Sequence, residues 1–196
     1  FSTKWSIINN ISDIDLSDPK FVRIDDGPRS IAYFCKKQPV RVSFKLIRTL
    51  KEAMANTKKN VRLCIHPNPS SKFHTMVILE RKGKYYRPHK HDDKGELFQM
   101  IEGRMGVFIF DEEGEVIDSC ILTPDENFLY KIGDDMYHAV MPLSEIVIYH
   151  ESKLGPFKGD NDSIYPSWAP DGSNGNEVEE YNKRLLNKLR FNKDNG

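Results

Sequence analysis

From Val61 onward the apolar residues of this chain recur at every second position, and the segments that carry them are short. VRLCIH, FHTMVILE, ELFQMIEG, RMGVFIFDEEGEVIDSCIL, NFLYKI, YHAVM and EIVIYHES follow in quick succession, separated by Gly, Pro, Asn and Asp. A period of two places alternate side chains on opposite faces of a strand, and many short strands joined by tight turns make an all-β sandwich or barrel. A length of 196 residues fits one domain with a real core.

The flanks read differently. FVRID and SIAYFC form two short strands around the turn DDGP. In SFKLIRTLKEAMA, Ser43 is a good N-cap, and Phe44, Ile47, Leu50 and Met54 fall at helical spacing. Trp5, Ile7, Ile8 and Ile11 are expected anchors of an otherwise polar start. After residue 155 the chain becomes irregular; GSNGN is expected to be flexible, and Val178, Tyr181, Leu185 and Leu189 mark a C-terminal amphipathic helix. The expected division is an N-terminal extension at 1–60 packed on the barrel, a barrel at 61–155, and an arm with a helix at 156–196.

Charge and composition exclude several functions. Lys+Arg and Asp+Glu are equal at 29 each, without the basic excess of a nucleic-acid binder. No run of about 18 apolar residues is present for a membrane span. The start shows no secretory leader pattern; Phe1 in place of Met points to an upstream start or a remnant. Cys35, Cys64 and Cys120 are few, odd in number and far apart. That usage fits a reducing compartment, hence the cytoplasm, and not a disulfide framework.

The stretch GKYYRPHKHDDKGELFQMIEG, residues 83–103, carries the chemistry. Read as a strand, it turns His89 and His91 to the same side. Glu96 follows beyond the DDKG turn and can return a carboxylate to the same place, and His138 in DDMYHAV is the best fourth group. Three imidazoles and a carboxylate suit one divalent transition metal: Fe, Mn, Ni or Zn, with Cu also compatible. An octahedral ion would keep about two positions for water or substrate. The plain alternative is a strand, a turn and a strand that happen to carry histidine.

The ungapped spacing G-x5-H-x-H-x4-E-x6-G, from Gly83 through His89, His91 and Glu96 to Gly103, resembles the first motif of the cupin superfamily. His138 stands where the second cupin motif has its histidine, although Gly133, Asp134 and Asp135 replace the usual Pro-x-Gly before it. The combination RLCIH, YYRPHKH, ELFQMIEGRMGVFIFDEEGEV, YHAV, GPF and SWAP, spread over residues 22–171, is similar to the WbuC family of cupin-fold metalloproteins. The resemblance implies a mainly β, cupin-type antiparallel barrel (a double-stranded β-helix, or jelly roll) with a helix before it and one after. It implies a metal held by His89, His91, Glu96 and His138, and a place in O-antigen or other surface-polysaccharide synthesis. The expected partner is a small molecule, such as an anionic sugar derivative.

Other side chains are assigned by alternation. Tyr85 and Arg87 share a strand phase with His89 and His91, so Arg87 is expected to orient an anionic substrate group. Glu96, Arg87 and Tyr85 are the catalytic candidates, and Tyr86, Tyr137 and Tyr149 make the neighbourhood phenol-rich. Arg62, Cys64 and His66 share one face of VRLCIH, either solvent or pocket rim, with Arg62 and His66 as substrate contacts. His74 and His150 are expected at the surface or internally satisfied. GPF…SWAP is read as an ordered arm that lays Trp168 on the barrel. The leading function is a metal-dependent isomerase- or epimerase-like enzyme for sugars or nucleotide sugars. The alternatives are an iron-dependent dioxygenase and a non-catalytic ligand-binding module. A homodimer is expected through edge strands, and the apolar face of residues 178–189 is expected to pack either on the barrel or on a neighbouring subunit.

Overall fold

The computed structural model describes residues 14–191; Trp5, Ile7, Ile8 and Ile11 lie outside the described residues. The elements are β1 (Val22–Asp26), β2 (Ser30–Cys35), α1 (Phe44–Ala55), β3 (Asn60–Cys64), β4 (Phe73–Arg81), β5 (Glu96–Glu102), β6 (Met105–Phe110), β7 (Val116–Leu122), β8 (Leu129–Ile132), β9 (Tyr137–Pro142), β10 (Ile146–Leu154) and α2 (Gly175–Phe191). They form a seven-stranded sheet, β1-β2-β3-β4-β10-β5-β8, and a three-stranded sheet, β7-β6-β9. From β4 the chain passes to His89, which bridges to the small sheet, and back to β5. It then runs through β6 and β7, returns to β8, crosses to β9 and comes back to β10. This shuttling between two facing sheets is a jelly roll of the cupin type.

One pairing is not antiparallel. Strands β2 and β3 run parallel, and parallel neighbours need a long crossover, which α1 supplies. Ser43 caps it as the sequence predicts, its Oγ accepting from Leu46 N at 3.3 Å. At the other end Arg81 Nη2 donates to Met54 O and Thr57 O, at 2.6 and 2.9 Å, satisfying carbonyls that a helix end leaves unpaired. The buried face differs by one position from the expected one. Leu46, Ile47, Leu50 and Met54 are buried, whereas Phe44 is 76% exposed.

The layers run helix, sheet, sheet, helix. Leu50 and Met54 of α1 pack with Val61, Leu63, Val77, Leu79 and Ile148 on the outer face of the large sheet. Between the sheets lie Phe98, Met100, Met105, Val107 and Ile109, among others. On the far side, Tyr181, Leu185 and Leu189 of α2 pack with Phe108, Phe110 and Ala139 of the small sheet. All of β6 is therefore buried, and its sequence MGVFIF is a continuous apolar run, as a strand covered on both faces requires. The apolar face of α2 thus packs on the barrel, the first of the two placements expected of residues 178–189.

The stretch GSNGN is not a loose linker. Asn174 Oδ1 accepts from the backbone N–H of Asn176 and Glu177 at 3.1 and 3.4 Å, capping α2. Before it, Trp168 packs on Phe110 and Tyr137 at ring distances of 5.2 and 5.7 Å. Its indole N–H donates to Glu112 O at 3.0 Å, so the arm is ordered against the barrel as expected. No helix of the described residues is long and apolar enough to cross a membrane.

The helix–sheet core lies across the large sheet from the histidines. Leu50→Ala, at a fully buried position, should lower the unfolding free energy by about 3 kcal/mol in a denaturant titration. Phe44→Ala should change it by less than about 0.5 kcal/mol, and neither variant should alter metal content.

Candidate metal centre

Residues 83–91 do not form one of the named strands. Pro88 lacks a backbone N–H for a ladder, and the segment is extended, bridging only at His89 and Lys90. Those two bridges place the site. His89 and His138 exchange backbone hydrogen bonds, N to O, at 3.0 and 2.9 Å. On the other side Lys90 exchanges the same pair with Ile164 of the arm, at 3.0 and 2.8 Å. The chain thus enters between β9 and the arm.

The turns around it follow from single residues. Gly83 and Gly103, the outer glycines of the spaced motif, take φ of 87° and 85°, a conformation that glycine adopts at little cost. Before His138, Asp135 takes φ of 57°, where the cupin pattern has glycine. Aspartate tolerates this left-handed conformation better than most residues, so the departure from Pro-x-Gly still yields the turn that delivers His138.

The ligating atoms of His89, His91 and His138 lie within 4.8 Å of one another. Each ring is oriented by a backbone carbonyl: Nδ1 lies 3.0 Å from Arg87 O in His89, 2.9 Å from Met136 O in His138 and 2.5 Å from Asp162 O in His91. A carbonyl only accepts, so each Nδ1 carries a proton and each ring turns its Nε2 toward the shared centre. Burial, and then the neighbouring His138, push the His89 imidazole down to about 3, so it stays neutral.

Glu96 completes the group. Its Oε1 is 2.8 Å from His91 Nε2 and its Oε2 is 3.2 Å from His138 Nε2. The latter nitrogen is buried and makes no hydrogen bond. Burial opposes the Glu96 charge, but Lys153, with His138 and His91, outweighs it and holds the carboxyl well below its usual range. With their Nδ1 atoms on carbonyls, the rings turn their Nε2 atoms and the Glu96 carboxylate toward one another, an arrangement that a cation among them would satisfy. The donor set, three imidazoles plus one carboxylate, fits a divalent transition metal.

A cavity of about 400 Å³ opens on this group. His89, Glu96 and His138 line it, and so do Arg62, Cys64 and His66, which settles the face of VRLCIH: it looks into the cavity. His74 also lines it and is buried, its ring stacked on His66 at 4.2 Å with its Nε2 3.0 Å from Pro69 O. Burial, then His74, pushes His66 down to about 4. His150 Nε2 lies 3.3 Å from Thr75 Oγ1. Burial pushes the free Cys35 and Cys64 thiols up to about 11 and 12.

Two expected pocket residues are elsewhere. Arg87 Nη2 donates to Pro166 O at 2.8 Å and the guanidinium lies over the Tyr165 ring. Tyr85 donates to Pro170 O at 2.8 Å and packs edge-on to Tyr181 of α2. The alternation argument assumed a regular strand through Pro88; the irregular segment turns both side chains to the arm.

Several residues were not foreseen. Lys153 Nζ is 2.7 Å from Glu96 Oε1, 3.4 Å from Glu151 Oε1 and 3.5 Å from His91 Nε2. Burial works against its charge, but Glu151 and Glu96 together raise it above the usual lysine range. Asp162, buried in the arm, pairs with the buried Lys94 at 2.7 Å while its carbonyl orients His91. Glu80 is buried in the cavity wall, and burial raises its carboxyl from 4.5 to about 7. The available signal was a strand phase: Tyr149, Glu151 and Lys153 lie two apart, as do His74, Met76, Ile78 and Glu80.

Comparisons with known proteins follow the fold. Residues 43–122 match a family described as a domain of unknown function, DUF6016; the match includes His89, His91 and Glu96 and stops before His138. None of the curated proteins matches. Among solved structures, the capsular polysaccharide assembling protein CapF of Staphylococcus aureus superimposes with a TM-score of 0.46 at 15% identity, over 54% of this chain and 29% of that one. Oxalate decarboxylase of Bacillus subtilis gives 0.42 at 17% identity, over 53% and 26%. The Cnp3 cupin domain of Schizosaccharomyces pombe gives 0.36 at 11%, over 42% and 56%. The chain thus spans less than a third of CapF.

Glu80 gives a pH test. Between 4.5 and about 7 the folded state binds more protons at this site than the unfolded state, so stability falls as pH rises through that window. The loss is at most about 3 kcal/mol. Glu80→Gln should remove this slope: relative to wild type, the variant gains stability from pH 5 to pH 8 in denaturant unfolding. Equal slopes for both proteins would contradict the assignment.

Proposed function

We propose that this chain is a metal-dependent protein of the cupin fold that presents one divalent transition-metal ion to a small polar molecule in its internal cavity. The observation that carries this reading is the common Nδ1–carbonyl orientation of His89, His91 and His138, which leaves three Nε2 atoms converging beside Glu96. When bound, the ion would supply Lewis acidity, polarising a carbonyl or a hydroxyl pair. The chain's own groups do the rest. Glu96, tied to Lys153 through Oε1, keeps Oε2 directed toward His138. Arg62, with Nε buried and unpaired, and His66 line the route to the centre and orient the substrate, the part first assigned to Arg87.

The finer reading is an enzyme acting on a sugar or nucleotide sugar of surface-polysaccharide synthesis by a proton-transfer step such as isomerisation or epimerisation. Its support is the sequence resemblance to the WbuC family. The free, largely buried thiols agree with work in the cytoplasm.

Metal content measured by mass spectrometry on untagged protein tests the centre. Wild type should hold about one equivalent of a transition metal, and His91→Ala and His138→Ala should each hold almost none while keeping their circular dichroism. Retention of the metal in both variants would overturn the reading. Asp162→Ala strands Lys94 and loosens the carbonyl that orients His91, so metal affinity should fall by about ten- to a hundredfold in a chelator competition.

A further inference from the structure

The cavity extends past the histidines to polar side chains that the metal reading does not use. Glu80 of β4 is only 7% exposed, yet it lines the cavity with Tyr86, Tyr149, Asn60 and Arg62. A chain of hydrogen bonds fixes its surroundings. Asn60 Oδ1 accepts from Arg81 N at 3.3 Å, so its amide nitrogen is the group that donates to Tyr86 Oη at 2.8 Å. With its oxygen already accepting, Tyr86 turns its own proton to the Glu80 carboxyl, which Tyr149 also reaches. Glu80 Oε2 is left buried with no partner, and Arg62 Nε is in the same condition. Arg62 stands opposite Ile78, two residues along the neighbouring strand from Glu80 and in the same phase.

An unpaired buried polar atom is costly, so these atoms call for a ligand. The chemistry of the two selects its class. Arg62 Nε is only a donor. Glu80 Oε2 accepts when the carboxyl is ionised and can donate when it is protonated. Of the common neutral groups, a hydroxyl satisfies both, because it donates and accepts. An ammonium could serve only the ionised carboxyl, and a carboxylate serves the arginine but reaches Glu80 only while that carboxyl keeps its proton.

We propose that Glu80, Tyr86, Tyr149 and Arg62 form a second subsite of the cavity that binds the hydroxyl groups of a neutral polyhydroxylated small molecule. This deepens the proposed function and rests on it for one point only, that the same molecule also reaches the histidines. His89 lies three positions after Tyr86, at most about 10 Å of extended chain, and the cavity of about 400 Å³ is in the range of ligand sites. Both are of monosaccharide scale. Glu151, 3.4 Å from Lys153, also lines the cavity.

The test is ligand-observed NMR and thermal shift with D-glucose, D-galactose, L-rhamnose and sorbitol, with acetate as an anion control. Metal-free and metal-loaded full-length protein are both used. The expected result is saturation transfer to at least one sugar or polyol in both forms, and none to acetate. Glu80→Leu and Tyr86→Phe should weaken that binding by about tenfold or more, with metal stoichiometry unchanged. Glu80→Gln, which keeps the shape, should show a smaller loss and guards against an unfolded Leu variant. No binding of any of these neutral compounds by wild type would overturn the proposal. So would acetate binding alone, or binding indifferent to Glu80 and Tyr86. Loss of metal binding in wild type would instead strike the metal reading and leave this subsite standing.

Discussion

The paired backbone hydrogen bonds between His89 and His138 hold the functional half of the molecule together. They join two segments far apart in sequence, and they set the imidazoles 4.5 Å apart between ring centres. On the other flank of the same segment, Lys90 pairs with Ile164 and seats the arm. The arm then brings Asp162 up to His91, while Trp168 rests on the small sheet. The site depends on backbone pairing, which is rigid and indifferent to side-chain identity.

Placing polar groups at the sheet interface requires mutual compensation. Lys153 lies between Glu96 and Glu151, Lys94 is matched to Asp162, and the His74 ring covers His66. Such pairs contribute little net stability, but breaking one leaves a buried charge exposed to a low dielectric. They hold side chains at fixed positions around a cavity, at a cost that the apolar layers on the outer faces of both sheets offset.

Much of the architecture was legible from the chain alone. The change to a period of two at Val61, the cap at Ser43 and the helical spacing of Tyr181, Leu185 and Leu189 all appear as read. The two-residue spacing of His89 and His91 and the five-residue return to Glu96 do bring those groups together with His138. The reading broke at Pro88. Alternation was carried through a segment whose backbone is extended but is not a regular strand, and Arg87 and Tyr85 went to the wrong side. The apolar face of α2 was legible as a stripe, but not its partner: both a second chain and the chain's own sheet would bury the same area.

The sequence by itself determined most of the strands, the capped start of α1 and the cluster of imidazoles and carboxylate, because these depend on local periodicity, capping and spacing. Only the tertiary structure decided which phase of β4 and β10 faces inward. Both phases of those strands carry polar and apolar residues, since one sheet face must serve as core and as cavity wall at once. Alternation states which side chains share a face, and packing against α1 on the outer side chooses the face. That choice put Glu80, Glu151 and Lys153 into the cavity, where no local rule of sequence placed them.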